Sequence, residues 1–223
     1  MKVIVFGATG MVGQGVLREC LLADDVEAVA SVGRNATGQC HPMLIEIVHK
    51  DLSDLSAIEN QLRGYDACFF ALVVSSVGMS EADYTRVTYG FTQAAGEMLA
   101  RLNPGMTFVF VSGLGTDSSE QGRTMWARVK GRAENALLRL PLEAYMFRPG
   151  FIQPLDGIRS RTALYNALYT LLRPLVPVFR FAMPNQFLTT RQVGQAMLNV
   201  ARHGYKTRVL EVREIRDAAF DDR

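Results

Sequence analysis

Short, almost continuous apolar runs alternate along this chain with longer stretches in which apolar side chains return every three or four residues. The runs at residues 2–6, 28–32, 43–48, 67–72, 107–112 and 144–147 predict strands buried on both faces, as in a parallel sheet. The stretches at 11–22, 53–62, 81–102 and 124–140 predict the helices between them. Asn103-Pro104-Gly105 stops the third of these helices and turns the chain into the next strand. After Arg148-Pro149-Gly150 the regularity changes. Residues 151–188 are richer in proline, aromatics and arginine, 189–203 read as a helix, and 209–212 as a last strand. Strands alternating with helices predict an α/β fold: a doubly wound parallel Rossmann sheet with a small C-terminal cap. The chain is expected to be one domain over 1–223, with its core in 1–150 and the cap and C-terminal elements in 151–223.

Length and composition agree with that picture. A chain of 223 residues, 48% hydrophobic and 21% charged, is long enough for one full core and too apolar for disorder. The formal charge of +2 is too balanced to suggest nucleic acid or an anionic membrane as partner. Cys20, Cys40 and Cys68 form no CxxC pair, and His41, His49 and His203 have no ligand spacing with them. No metal site or disulfide framework is expected, and a reducing cytoplasm fits. In residues 163–188, Arg173, Arg180, Pro174, Pro177 and Pro184 interrupt the apolar run. That segment therefore predicts an amphipathic flap rather than a transmembrane helix.

The chemistry begins at Gly7-Ala8-Thr9-Gly10-Met11-Val12-Gly13, which leaves the first strand and opens the first helix. Glycine at 7 permits the tight turn, at 10 a close backbone approach to a pyrophosphate, and at 13 close helix packing. The helix start offers unpaired N–H groups to the phosphates. The turn therefore predicts a bound nicotinamide dinucleotide. The second strand ends at Ser31-Val32-Gly33-Arg34, and no acidic residue that could hold ribose hydroxyls stands between Val29 and Glu46. Arg34 can instead fork onto a 2′-phosphate, which favours NADP(H) over NAD(H).

With that turn, Asp51-Leu52, Ala71-Leu72-Val73, Val111-Ser112, Val129-Lys130-Gly131 and Phe147-Arg148-Pro149-Gly150 follow in order. Together they resemble the extended and atypical short-chain dehydrogenases/reductases. Within these the chain is most similar to the small Tat-interacting oxidoreductase-like branch, related to the nitrogen-metabolite-repression regulators. The resemblance implies that Gly7, Thr9, Gly10, Met11 and Val12 hold the diphosphate. Asp51 and Leu52 would meet the adenine, and Ala71, Leu72 and Val73 the adenosine side. Lys130 would bind the nicotinamide ribose, and Pro149, Gly150, Phe151 and Ile152 would form a loop beside the carboxamide. Ser112 would orient a substrate. The helices after the fourth and fifth strands are surfaces through which such domains pair, so a homodimer is among the implied partners.

One position departs from the family. Active members carry a tyrosine four residues before the lysine, and here that residue is Trp126. An indole N–H donates a hydrogen bond but does not titrate usefully. No tyrosine lies between Tyr89 and Tyr145; Tyr84 and Tyr89 are the candidates for a displaced acid, and Thr116, Ser118 and Ser119 the alternatives to Ser112. Two main functions stay open, beside a minor one of peripheral membrane attachment through 163–181: a reductase or isomerase-like (epimerase-like) enzyme acting on a small carbonyl compound, and a catalytically silent NADP(H) sensor that reports to a protein partner. In the second, Leu164, Tyr165, Leu168 and Tyr169 would form the partner surface.

Overall fold

The computed structural model describes residues 1–158 and 186–220. Its main sheet contains β1 (Lys2–Phe6), β2 (Ala28–Gly33), β3 (Leu44–Val48), β4 (Ala67–Phe70), β5 (Thr107–Val111), β6 (Glu143–Phe147) and β9 (Val209–Leu210). All neighbours are parallel, in the order β3-β2-β1-β4-β5-β6-β9. This is the doubly wound Rossmann arrangement that the alternating pattern predicts. A second, two-stranded parallel sheet pairs β7 (Phe151–Gln153) with β8 (Phe187–Thr189).

Alternation within β1 explains the layers. Val3 and Val5 face one side, where α1 (Met11–Leu22), α5 (Thr190–His203) and α6 (Val212–Ala219) contribute Val16, Leu17, Val193, Met197 and Ile215. Ile4 and Phe6 face the other side, against α3 (Phe91–Leu102) and α4 (Met125–Leu138) through Leu99 and Leu137. There Phe70 packs 5.2 Å from Phe6 and 5.8 Å from Phe108, centroid to centroid. Burial on both faces is what requires the near-continuous apolar strands.

Four elements differ from the pattern. The helix expected over 53–62 is a short 3₁₀ helix, Ser56–Leu62. Asp51 accepts from the Ser53 amide at 3.0 Å and Asp54 from the Ser56 amide at 2.9 Å, so side chains take backbone donors that a helix would need. The helix expected over 81–102 is divided into α2 (Glu81–Thr85), a π-helical turn (Arg86–Gly90) and α3. The last strand ends at Leu210, and Val212 opens α6, which the sequence reading missed. Phe151 and Ile152 lie in β7 rather than in a loop, because β8 pairs with them. Most of the expected cap and flap, including Leu164, Tyr165, Leu168 and Tyr169, lies outside the described residues. Among the described residues no helix is long and apolar enough to cross a membrane.

Candidate dinucleotide site

The sheet order reverses between β1 and β4, so a crevice opens beyond their carboxyl ends. Gly7 turns there with φ +79°, and a Cβ on it would lie 2.7 Å from the Ala71 carbonyl oxygen. A Cβ on Gly13 would lie 2.1 Å from the Gly7 carbonyl oxygen. Absent side chains thus let three backbones meet: the end of β1, the first turn of α1 and the chain leaving β4. Gly10 caps α1 without a side-chain hydrogen bond, and the first turn holds no acidic residue. The opening amides of α1, with Met11 and Val12 half-buried beside them, keep their donors and the positive end of the dipole for a ligand. Thr9 is occupied through its carbonyl, which accepts from Gln14 Nε2 at 3.1 Å.

The side of the crevice beyond β2 and β4 is more open. Arg34 follows β2, is exposed, and forms no ion pair among the described residues. The loop carrying it is held by Glu46, which accepts from the Thr37 amide at 2.8 Å and from its hydroxyl. Glu46 is distant in sequence from the end of β2 but stands in register with Ser31, a proximity that only strand pairing creates. Asp51 is exposed, and its bonds from the Ser53 hydroxyl and amide hold its carboxyl below the usual carboxylate range. Those bonds use Oδ1 alone. Leu52 is buried in the core layer of Phe6 and Phe70. Ala71 is buried and donates its amide to Phe6 at 3.0 Å; Leu72 is half-buried and Val73 exposed.

At the other end, β5, α4 and the residue after β6 bring four polar side chains together. Ser112 is 3% exposed, and its hydroxyl donates to Glu134 Oε1 at 2.5 Å, with the Phe147 carbonyl 3.1 Å away. Glu134, 1% exposed, also accepts from Arg148 Nε at 3.0 Å and from Arg148 Nη2. Arg148 reaches further, to Ser118 Oγ at 2.5 Å and Glu211 Oε1 at 3.2 Å. Lys130, 7% exposed, donates to the Ser112 carbonyl. Burial pushes its ammonium down to about 8, and the Glu134 charge acts in the opposite direction. An ammonium has three donors, and the Ser112 carbonyl is its one partner among the described residues.

The loop from β5 to α4 lies hard against Gly131, where a Cβ would stand 1.8 Å from the Asp117 carbonyl oxygen. Lysine followed by glycine therefore combines a reaching side chain with room for the loop. Thr116 donates to the Gly113 carbonyl at 2.7 Å and Ser119 to Asp117 at 2.6 Å, so both hydroxyls serve the loop itself. Trp126 is half-buried one turn before Lys130, its ring 3.6 Å from where a Gly115 Cβ would be. Tyr84 is 1% exposed and its phenol is pushed up by burial, while Tyr89 lies 4.3 Å beneath the Arg132 guanidinium. Burial thus moves the Tyr84 phenol away from neutrality. Pro149 accepts from the Leu114 amide at 2.9 Å, and Gly150 packs against the Gln186 carbonyl, so 149–152 are braced by the second sheet.

Glu134 and Arg148 were not singled out from the sequence as site residues. The signal was present: Glu134 lies four residues after Lys130, hence on the same face of α4, and its neighbours there, Ala127, Gly131, Ala133 and Leu137, are apolar and buried.

A glycine turn at the switch point, an uncapped helix start and a buried ammonium define a Rossmann-type dinucleotide-binding protein. The chain belongs to the NAD(P)H-binding family, whose model matches residues 7–164. Solved structures share the fold. The oxidoreductase ylbE from Lactococcus lactis matches at 13% identity and TM-score 0.68, over 98% of this chain and 96% of that one. WbmF from Bordetella bronchiseptica, solved with NAD+, matches at 18% identity and TM-score 0.67, over 98% of this chain and 76% of that one. A glucuronic acid dehydrogenase from Chromohalobacter salexigens matches at 15% identity and TM-score 0.67, over 94% and 75%. The comparison with curated proteins returns no match.

Proposed function

We propose that this chain is an NADP(H)-dependent oxidoreductase acting on a small carbonyl compound, at a centre that works without the tyrosine acid. The observation that carries the reading is the helix start at the switch point, uncapped and free of acidic residues, at the carboxyl end of the same sheet whose β5 leads to the buried Lys130 site. The residues fit a dinucleotide: Gly7 and Gly13 let the end of β1, the chain leaving β4 and the first turn of α1 close together, which presents the uncapped helix start at the crevice, and two Lys130 donors are uncommitted. The amides of residues 11 and 12 hold the diphosphate, Gly10 donating its own to the Gly7 carbonyl at 2.9 Å, and Arg34 supplies charge for a 2′-phosphate. Asp51 Oδ2, Leu52 and 71–73 line the adenosine side, Lys130 holds the nicotinamide ribose, and 149–152 shape the carboxamide end. A bound nicotinamide supplies or takes the hydride. Trp126 donates a hydrogen bond but no proton, so the proton comes from water or a substrate hydroxyl. Losing a general acid costs about 10²–10⁴-fold in rate and leaves catalysis by positioning.

Trp126 also favours a second reading, a sensor that binds NADP(H) and reports to a protein partner. A fluorescence titration with NADPH, followed by its oxidation against aldehydes, ketones and quinones, separates the two. Turnover that falls in Ser112→Ala supports the oxidoreductase. Tight binding without turnover on any compound refutes it in favour of the sensor. Trp126→Tyr restores a titrating group one helical turn from Lys130, and turnover is expected to rise.

A further inference from the structure

Three donors and acceptors at the nicotinamide end answer to one carboxylate. Glu134 is 1% exposed and would be an uncompensated buried charge without the two-nitrogen contact from Arg148. It takes the Ser112 proton, since a carboxylate at 2.5 Å outcompetes the Phe147 carbonyl at 3.1 Å. It also lies one helical turn from Lys130, the ammonium left with two uncommitted donors.

We propose that Glu134, backed by Arg148, is a positioning residue for the nicotinamide end of the cofactor. It holds the Ser112 hydroxyl and keeps the buried Lys130 ammonium charged, so that its free N–H groups donate to ribose hydroxyls. The inference rests on the reading that Lys130 binds that ribose. Glu134 meets two nitrogens of Arg148 and accepts from the Ser112 hydroxyl, so it acts here as an acceptor and as the partner of a buried guanidinium.

The other charged groups around Lys130 are engaged elsewhere. Asp117, in the loop after β5, is turned onto Ser119 and Gly122. Arg128, on the same helix, pairs with Glu81 at 2.8 Å. Arg132 stacks on Tyr89, Glu120 accepts from Asn135, and Glu211 meets Arg148 on the far side of Glu134. Glu134 is the carboxylate that raises Lys130 against its burial, which otherwise brings it down to about 8.

The test follows affinity for NADPH and for 2′,5′-ADP between pH 6 and pH 9 in wild type and Glu134→Gln. The fragment shares the adenosine 2′-phosphate but has one 5′-phosphate and no nicotinamide ribose, so above about pH 7.5, where its phosphates are fully ionised, its profile reports the adenosine half alone. In wild type, NADPH affinity falls relative to the fragment as pH rises through about 8, where Lys130 loses its proton. In Glu134→Gln that fall moves to lower pH, NADPH binds about tenfold more weakly at pH 7.5, and bound-NADPH fluorescence changes while 2′,5′-ADP affinity holds. Equal losses for both ligands, or an unmoved profile, overturn the positioning role and leave the dinucleotide reading standing. Wild type that binds neither NADPH nor NADH takes both down. If the glutamine variant does not fold, Glu134→Asp decides: its charge is withdrawn by one methylene, so a smaller shift in the same direction supports the proposal and no shift overturns it.

Discussion

Lys130→Met trades function against stability in a way the structure makes quantitative. The ammonium is buried at the end of β5 with one hydrogen bond, and burial lowers its pKa from 10.5 to about 8. The unfolded chain holds its proton up to the ordinary lysine range, so between about 8 and 10.5 the unfolded state binds more protons and folding stability rises with pH. At about 1.4 kcal/mol per pH unit, the full rise is about 3 kcal/mol. Below pH 8 the folded protein carries that desolvation cost, reduced by the bond to the Ser112 carbonyl that methionine would lose, about 1 kcal/mol. Lys130→Met is thus expected to be about 1–2 kcal/mol more stable than wild type at pH 7. Its melting temperature rises by about 2–8 °C for a chain of this size. Its stability advantage shrinks as pH climbs from 8 toward 10, while NADPH affinity is reduced throughout. Comparing the two proteins at each pH cancels the contribution of the buried Cys20 and Cys68, whose thiols burial pushes up. The assay is urea unfolding at pH 7, 8, 9 and 10. A methionine variant less stable than wild type at pH 7, with the same pH slope, would refute the buried ammonium.

Three further outcomes follow from single contacts. Gly13→Ala places a Cβ 2.1 Å from the Gly7 carbonyl oxygen, so the first turn of α1 must move by about 1 Å; binding of every nicotinamide dinucleotide falls at least tenfold by calorimetry, with about 1–3 kcal/mol of lost stability. If Arg34 reads the 2′-phosphate as proposed, Arg34→Ala lowers NADPH affinity by about tenfold and leaves NADH affinity unchanged; equal losses would show that it reads the shared diphosphate instead. Asn103→Ala removes the bonds that the side chain accepts from Gly64 and Tyr65, at 2.7 and 3.2 Å, and donates to Leu62 at 2.9 Å. It is expected to cost about 2–3 kcal/mol in denaturant unfolding, with dinucleotide binding intact below the transition.

Short apolar runs, helical periodicity and the glycine turn are local features, and they were legible because each is set by neighbours within a few residues. The strands β1, β2, β5 and β6 stand within a residue or two of the pattern, and the Gly7–Gly13 turn stands where the spacing places it. The 3₁₀ helix after Asp51 was legible in principle, since its cause is two aspartates bonding their own backbone, but helical propensity outweighed that signal in the reading. The second sheet was not legible. Phe151–Gln153 becomes a strand because Phe187–Thr189 lies beside it, more than thirty residues away in sequence.

The sequence by itself determined that this protein is an α/β Rossmann chain with a phosphate-ready turn, because period and glycine spacing act over one strand and one helix. Tertiary structure decided what surrounds Lys130. Ser112, Lys130, Glu134 and Arg148 come from two strand ends and a helix, and their charges reach one another only after the sheet has stacked β5 beside β6. How far burial depresses an ammonium, and which carboxylate opposes it, depends on distances between side chains that no local pattern encodes.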